Sequence, residues 1–395
     1  MSGTLNSIYN DISFALRLHT DALARLQEQA STGSLVNRPS DEPSAAYQIL
    51  GLNSQQKSFE NYLGNLSDVT TSLELSSTIF GNMISTLTET KTRLTQIASG
   101  IYDREGQQRV AEVINDALEQ IVLLANTKHM DQYLFGGSNT SSAPYVVERT
   151  NGEITNVTYQ GSSEERNIEV APNAQVSTFY VGDSVFRSDS RSAPIFLGDT
   201  GAKAGTGTSS VTGDVWLTVI HDGSNYKLSI DDGASYVTVP SGGDTNQAVT
   251  DSISGKVLYV DTTELSSTGV ELVRLPGTYD IFNMLITIRD ILKNQRELSD
   301  AQMQELQINS LKSLDEIMNL LVQNQTGLGA KVGFLDNLKE TLTNLKYNAE
   351  DEVTRLQEAD IAQVAIDLSR HEVLYQMSLS VAAKLLSMSL LDFIE

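Results

Sequence analysis

The side chains best equipped for chemistry in this sequence are scattered. Its four histidines, His19, His129, His221 and His371, fall in separate segments, and none shares a metal-type spacing with a second ligand. Periodicity puts His19 and His371 on helix surfaces, as solvated or interface residues. Cysteine is absent, so there is no disulfide, thiolate metal site or thiol nucleophile. Gly205-Thr206-Gly207 hints at a nucleotide-binding fingerprint, but no strand leads in and no helix follows, so it reads as a flexible loop. Asp231-Asp232-Gly233 lacks the further ligands of a calcium loop and reads as a turn. Trp216 reads as a buried strand residue rather than an exposed binding aromatic. No catalytic residue, cofactor or metal ligand is assigned, and no enzymatic activity is expected.

The polar stretch with the most definite spacing is Asn37-Arg38-Pro39-Ser40-Asp41-Glu42-Pro43. Pro39 keeps Arg38 out of the α region, Ser40 or Asp41 suits an N-cap, and Pro43 is tolerated in a first helical turn. This is a helix–turn–helix break. The same turn, through Arg38 and Asp41, is a candidate assembly contact, because a guanidinium can bridge carboxylates on a neighbour.

The elements around that turn are helical. A ladder of apolar residues seven apart follows it: Leu52, Phe59, Leu66, Leu73, Phe80, Leu87, Leu94 and Ile101. A seven-residue repeat keeps one seam toward a partner helix and implies a left-handed supercoil. A helix from Ser44 to Ser99 would span about 80 Å at 1.5 Å per residue. The positions four after each rung, Leu63, Thr70, Ser77, Ile84, Lys91 and Ala98, are mixed, so the second half of the seam reads as weak.

Composition limits the partners. The chain has 395 residues, 40% of them hydrophobic, with 27 Lys+Arg against 50 Asp+Glu and a net charge of −23. That balance disfavours nucleic acid and anionic membrane surfaces, since no basic surface replaces counterions. No eighteen-residue apolar stretch is present, so no membrane insertion is expected, and no secretory signal is read at the start.

Along the chain, residues 1–32 carry a helical stripe that stops at Gly33, a third helix is expected over 105–131, and Thr140 to Pro144 marks a boundary. From Tyr145 to Pro276 the pattern alternates. Trp216–Ile220 and Tyr226–Ile230 flank a five-residue hairpin connection, and the segment reads as a β-rich sandwich or small barrel with a mobile Gly198–Gly213 loop. Helical stripes return at Tyr279, are interrupted by Gly327, Gly329 and Gly333, and run to the C-terminus. The expected fold is α+β: a long coiled-coil-like helical bundle formed by both termini with a β-rich inserted domain. The expected parts are an assembly helix and turn (1–43), the N-terminal bundle (44–144), the outer β-rich insert (145–277), the C-terminal bundle (278–350) and a C-terminal assembly helix (351–395).

Several stretches resemble one family. They are Leu26-Gln27-Glu28-Gln29-Ala30-Ser31-Thr32-Gly33, the Asn37–Pro43 turn with Ala45 and Ala46, and Tyr133-Leu134-Phe135-Gly136-Gly137. Gly329-Ala330-Lys331-Val332-Gly333 resembles a glycine-alanine turn between C-terminal helices, and Asp360-Ile361-Ala362 and Met388–Ile394 resemble a C-terminal helix. Together they resemble the flagellin-like axial proteins of the bacterial flagellum, and among these the hook–filament junction branch. The first ten residues lack the family's basic, β-branched start, and Glu395 follows the usual apolar end.

The resemblance implies a structural part of the flagellum outside the cell, exported through the type III apparatus without a cleaved signal peptide. Its implied partners are a neighbouring hook-associated protein, flagellin, copies of itself and an export chaperone. The packing seam is assigned to Leu66, Leu73, Leu87, Leu338, Leu342, Leu385 and Leu391. In a free monomer the two ends are expected to be frayed, because nothing covers their apolar stripes. Filament flagellin is the neighbouring alternative; an adhesin or glycan-binding module on a helical stalk is the alternative of another class.

Overall fold

The computed structural model describes residues 2–99 and 103–394, with side chains described over 10–99 and 103–384. By packing, the chain divides into two compact units, one of residues 1–64 and 338–395, the other of residues 65–337.

In the first unit, α1 (Ser2–Thr32) ends where Gly33 takes φ +70°, a left-handed stop that suits glycine, with its N–H on the Gln29 carbonyl at 2.9 Å. The chain then turns on itself: Asp41 Oδ2 accepts from the Arg38 N–H at 2.8 Å. Asp41 therefore closes the turn rather than capping the next helix, which begins at Pro43. That helix, α2 (Pro43–Ala98), continues into the second unit. The first unit is completed by the end of α6 (Asp300–Gln357) and by α7 (Ile361–Ile394), which packs along α1. Gly33 and Leu35 exchange backbone hydrogen bonds with Ala359 and Gln357, so the two helix breaks pair with each other.

The glycines expected to interrupt the C-terminal helices do not do so. Gly327, Gly329 and Gly333 lie inside the continuous α6, and helical periodicity carries straight through them. Helix propensity makes glycine costly there by about 1 kcal/mol each, but α6 is long and packed enough to absorb it.

The second unit is built on the heptad ladder. Leu66, Leu73, Phe80, Leu87 and Leu94 are fully buried. The second buried row lies three residues after each rung, at Val69, Ser76, Met83, Thr90 and Ile97. The sequence reading placed it four after, on residues that are only half-buried. Small hydroxyls fill part of this row because each satisfies itself within the helix: Ser76 Oγ donates to the Ser72 carbonyl at 2.9 Å, and Thr90 Oγ1 to that of Thr86 at 3.0 Å. Phe80 packs against Phe135 and Phe186 with ring centroids 5.8 and 5.7 Å apart. The final rung, Ile101, lies outside the described residues.

Asp103 caps α3 (Arg104–Ala125) by accepting from the Gly106 N–H at 2.8 Å. The helix stops six residues short of the expected end. Met130 and Asp131 take φ 47° and 61° and turn a tight hairpin between β1 (Lys128–His129) and β2 (Gln132–Tyr133).

Two further hairpins follow, β3 (Tyr145–Thr150) with β4 (Glu153–Tyr159), and β5 (Arg166–Ala171) with β6 (Ala174–Phe179). A single turn, α4 (Gly182–Val185), leads to β7 (Ile195–Leu197) and β8 (Lys203–Ala204). Then come β9 (Gly213–His221), β10 (Tyr226–Ser229), β11 (Val237–Thr238), β12 (Gln247–Thr250), β13 (Val257–Asp261) and β14 (Gly269–Leu275). They form an antiparallel sheet of order β11-β10-β9-β14-β7 and another of order β12-β13-β8. Leu217, Val219 and Leu228 from the first share a core with Val249, Leu258 and Val260 from the second, so the two pack as a sandwich. The expected hairpin forms with Val219 opposite Leu228.

The Gly198–Gly213 segment is not a free loop. It contributes β8, and Ala202 and Val211 are buried. A Cβ on Gly207 would stand 2.5 Å from the Tyr259 ring, so close approach explains that glycine. Helix α5 (Ile281–Lys293), capped by Asp280, closes the unit against α3.

Candidate assembly surface on the terminal helices

Helix α7 is apolar on two sides. Its inner side toward α1 carries Val364, Leu368, His371 and Tyr375, buried or half-buried at heptad spacing. Its outer side carries Ile366, Val373, Met377 and Val381, which the helical period places on one stripe. These four are 51–62% exposed. On α1, Phe14 and Leu18 stand one turn apart and are 69% and 56% exposed. Single exposed hydrophobes are ordinary, but aligned rows of them mark a surface that is covered in use. The ends are therefore helical and paired, yet open on their outer faces.

The assigned seam residues divide by position. Leu66, Leu73 and Leu87 are fully buried inside the second unit. Leu342 is buried and Leu338 half-buried in the first unit. The side chains of Leu385 and Leu391 lie outside the described residues. The assigned seam does not include the outer stripe, although Met377 and Val381 belong to the apolar stripe that runs to the C-terminus. Its signal was legible: Ile366, Val373, Met377 and Val381 are apolar at intervals of seven, four and four.

At the turn, the Arg38 side chain is 69% exposed and reaches Glu28 at 3.3 Å. Asp41 is half-buried, with Arg25 at 4.0 Å. Elsewhere in the same unit, the Glu60 carboxylate stands 2.9 Å from Lys346 and raises its ammonium pKa.

The histidines behave differently from one another. His19 and His371 meet across α1 and α7, with Nδ1 atoms 3.4 Å apart. His221 accepts from the Gly223 N–H at 3.1 Å, and His129 has a buried Nε2 without a partner. Trp216 is half-buried on its strand, with the Arg296 guanidinium 4.6 Å above its ring. Among the described residues no group of three or more His, Cys, Asp or Glu side chains could hold a metal, and no helix is long and apolar enough to cross a membrane.

Comparison with known proteins bears on the same helices. Residues 5–140 match the family model of the bacterial flagellin N-terminal helical region, and residues 311–394 that of the C-terminal helical region. Flagellar hook-associated protein 3 of Escherichia coli (strain K12) is 25% identical over 162 residues, which is 41% of this chain and 49% of that protein. The match thus spans about half the length of that relative. The solved flagellar hook associated protein-3 from Legionella pneumophila is 17% identical with a TM-score of 0.54, covering 78% of this chain and 98% of that one. A second structure, the flagellar junction protein from Legionella pneumophila, is 19% identical with a TM-score of 0.51, covering 79% and 100%. At these identities the two structures establish a shared fold.

Proposed function

We propose that this chain, a flagellin-like protein matched by the family at both ends, is a structural part of the bacterial flagellum that joins hook to filament. The observation carrying this reading is the outer apolar stripe of α7, Ile366 to Val381, together with Phe14 and Leu18 on α1. A helix with apolar rows on two sides buries one within its own chain and needs another surface for the second. Copies of the same chain and the axial proteins above and below supply that surface, namely a neighbouring hook-associated protein on one side and flagellin on the other. Before assembly an export chaperone covers the same stripe. Residues 1–43 and 351–395 act as the assembly segments, and Arg38 with Asp41 as a polar contact at the turn. The β-rich segment 145–277 faces outward. The chain leaves the cell by the flagellar export route without a cleaved signal peptide, and its role involves no catalysis.

Complementation tests this reading. A strain lacking its junction protein makes hooks but sheds filament subunits into the medium. Expression of this chain is expected to restore retained filaments. Shedding that persists although the chain is exported and folded would overturn the junction role, and filament growth in a strain lacking flagellin would assign the chain to the filament itself.

A further inference from the structure

Glu271 lies on β14 opposite Leu217 of β9. Side chains alternate along a strand, so Glu271 points the same way as Val273 and Leu275, toward the core that the two sheets share. It is 2% exposed, and neither carboxylate oxygen has a hydrogen-bond partner. The segment 198–202 links β7 to β8, and so one sheet to the other, and it lies directly on this side chain. A Cβ on Gly198 would stand 2.3 Å from the Glu271 Cβ and 2.5 Å from its Oε2. The strap is itself held by the loop after β13: the Ser266 and Ser267 N–H groups donate to the Thr200 carbonyl at 3.0 and 3.4 Å, and Ser267 Oγ to that of Asp199 at 2.7 Å. Among the described residues of the segments packed here, no cation faces the carboxylate. Lys203 pairs with Glu264 and both are exposed, Asp261 accepts from Thr263, and Arg274 turns to the other face of β14, where Asp214 holds it. Burial pushes the Glu271 carboxyl above its usual range; the nearby Thr200 hydroxyl and N–H offset part of this, and the Asp199 charge adds to it.

We propose that Glu271 makes the 198–202 strap a proton-controlled lid on the edge of the sandwich, closed over a neutral carboxyl and released when that carboxyl ionises. A buried carboxyl without a partner is tolerated far better as a neutral acid than as an anion. Opening the strap lets water reach Glu271 and returns it to an ordinary glutamate, which loses its proton near pH 4.3. The closed form keeps the proton to higher pH. Its stability is therefore full below the ordinary glutamate value and falls as pH rises through the higher value of the closed form. Acid tightens this edge, and neutral or alkaline medium loosens it. Because few hydrogen bonds hold the strap, it can open without unfolding the sheets beneath. This inference stands apart from the junction reading, since it requires only the sandwich.

Hydrogen–deuterium exchange of the full chain, read by mass spectrometry and corrected for the intrinsic effect of pH on exchange, tests it. Between about pH 4 and about pH 8, protection in peptides covering 198–202 and 262–268 is expected to fall about tenfold for each unit by which the closed-form carboxyl exceeds its ordinary value. Peptides from β9 and β10 are expected to keep theirs. Glu271→Gln removes the charge and keeps the shape, so its strap should stay at the acid level of protection throughout; Glu264→Gln, at an exposed position, should leave the fall unchanged. Strap protection that does not vary with pH in the wild-type chain would overturn the lid. So would a fall that persists in Glu271→Gln, or one shared equally by β9 and β10. Should Glu271→Gln fail to fold, carboxyl-carbon NMR of the wild-type chain decides: Glu271 titrating above the ordinary glutamate value is expected, and titration at or below it would overturn the proposal.

Discussion

Arg274 on β14 holds Asp214 on β9 through two parallel hydrogen bonds, Nε to Oδ1 and Nη2 to Oδ2, each 3.0 Å long. Both side chains are under 5% exposed. The Tyr279 hydroxyl donates to Asp214 Oδ1 at 3.0 Å, and Arg274 Nη2 also donates to Ser313 Oγ on α6 at 2.7 Å. Burial alone would depress the Arg274 pKa, but the Asp214 carboxylate more than offsets it and leaves the guanidinium firmly charged. A buried pair of this kind joins the middle of the five-stranded sheet to a helix.

Removing one partner leaves the other charged and unpaired. Asp214→Ala is expected to destabilise the second unit by about 3–5 kcal/mol. Urea unfolding followed by the fluorescence of Trp216, the single tryptophan, reads this directly because it sits on the same strand as Asp214. By contrast, Arg38→Ala removes an exposed pair with Glu28 and is expected to change stability by less than about 1 kcal/mol.

Acid should weaken the β-rich part through Asp231. Hydroxyls of Ser235 and Ser252, and then the Ser235 amide, donate to its carboxylate and hold its pKa well below the usual carboxylate range. A depressed folded-state pKa contributes stability that is full above the ordinary aspartate value of about 3.9 and fades as pH falls below it. The expected outcome is an acid limb in the stability profile that Asp231→Asn flattens. Urea midpoints compared at neutral pH and near pH 3 measure it. An unchanged limb in the variant would remove Asp231 as its source.

The glycines of α6 offer a gain. A Cβ on Gly327, Gly329 or Gly333 would meet nothing within 4 Å, and none has a positive φ. Each single Gly→Ala change should stabilise the chain by about 1 kcal/mol, seen as a rise in thermal midpoint. Loss of stability would mean that one of these positions bends or opens.

The outer stripe of α7 should matter for assembly and not for the monomer. Ile366→Asp places a charge at a position 62% exposed, so the monomer's unfolding free energy should move by no more than about 0.5 kcal/mol. In cells the same change is expected to cause filament shedding. Shedding matched by an unfolded monomer would trace the effect to folding instead.

Much of this architecture was legible from residue spacing, because long helices and short strands carry strong periodic signals. The Gly33 stop, the heptad ladder and the Val219–Leu228 hairpin are local patterns that the fold leaves intact. What escaped depends on contacts far apart in sequence. The seam phase was missed because Ser76 and Thr90 look unsuited to a core, although each satisfies its hydroxyl within its own helix. Gly207 passed for a flexible residue because its reason, the Tyr259 ring, lies about fifty positions away. Gly329 passed for a turn because local propensity argues for one, whereas the length and packing of α6 override it. The His19–His371 pair left no sequence signal, since their proximity depends on α1 lying along α7.

On the proposed junction role, the outer apolar stripe of α7 is open in a free chain and covered in the assembled flagellum. Met377 reports on it directly, being 61% exposed in the single chain and carrying an oxidisable thioether. Hydroxyl-radical footprinting with mass spectrometry, applied to the free chain and to isolated flagella, should find Met377 readily oxidised in the first and strongly protected in the second. Equal oxidation in both would contradict the claim.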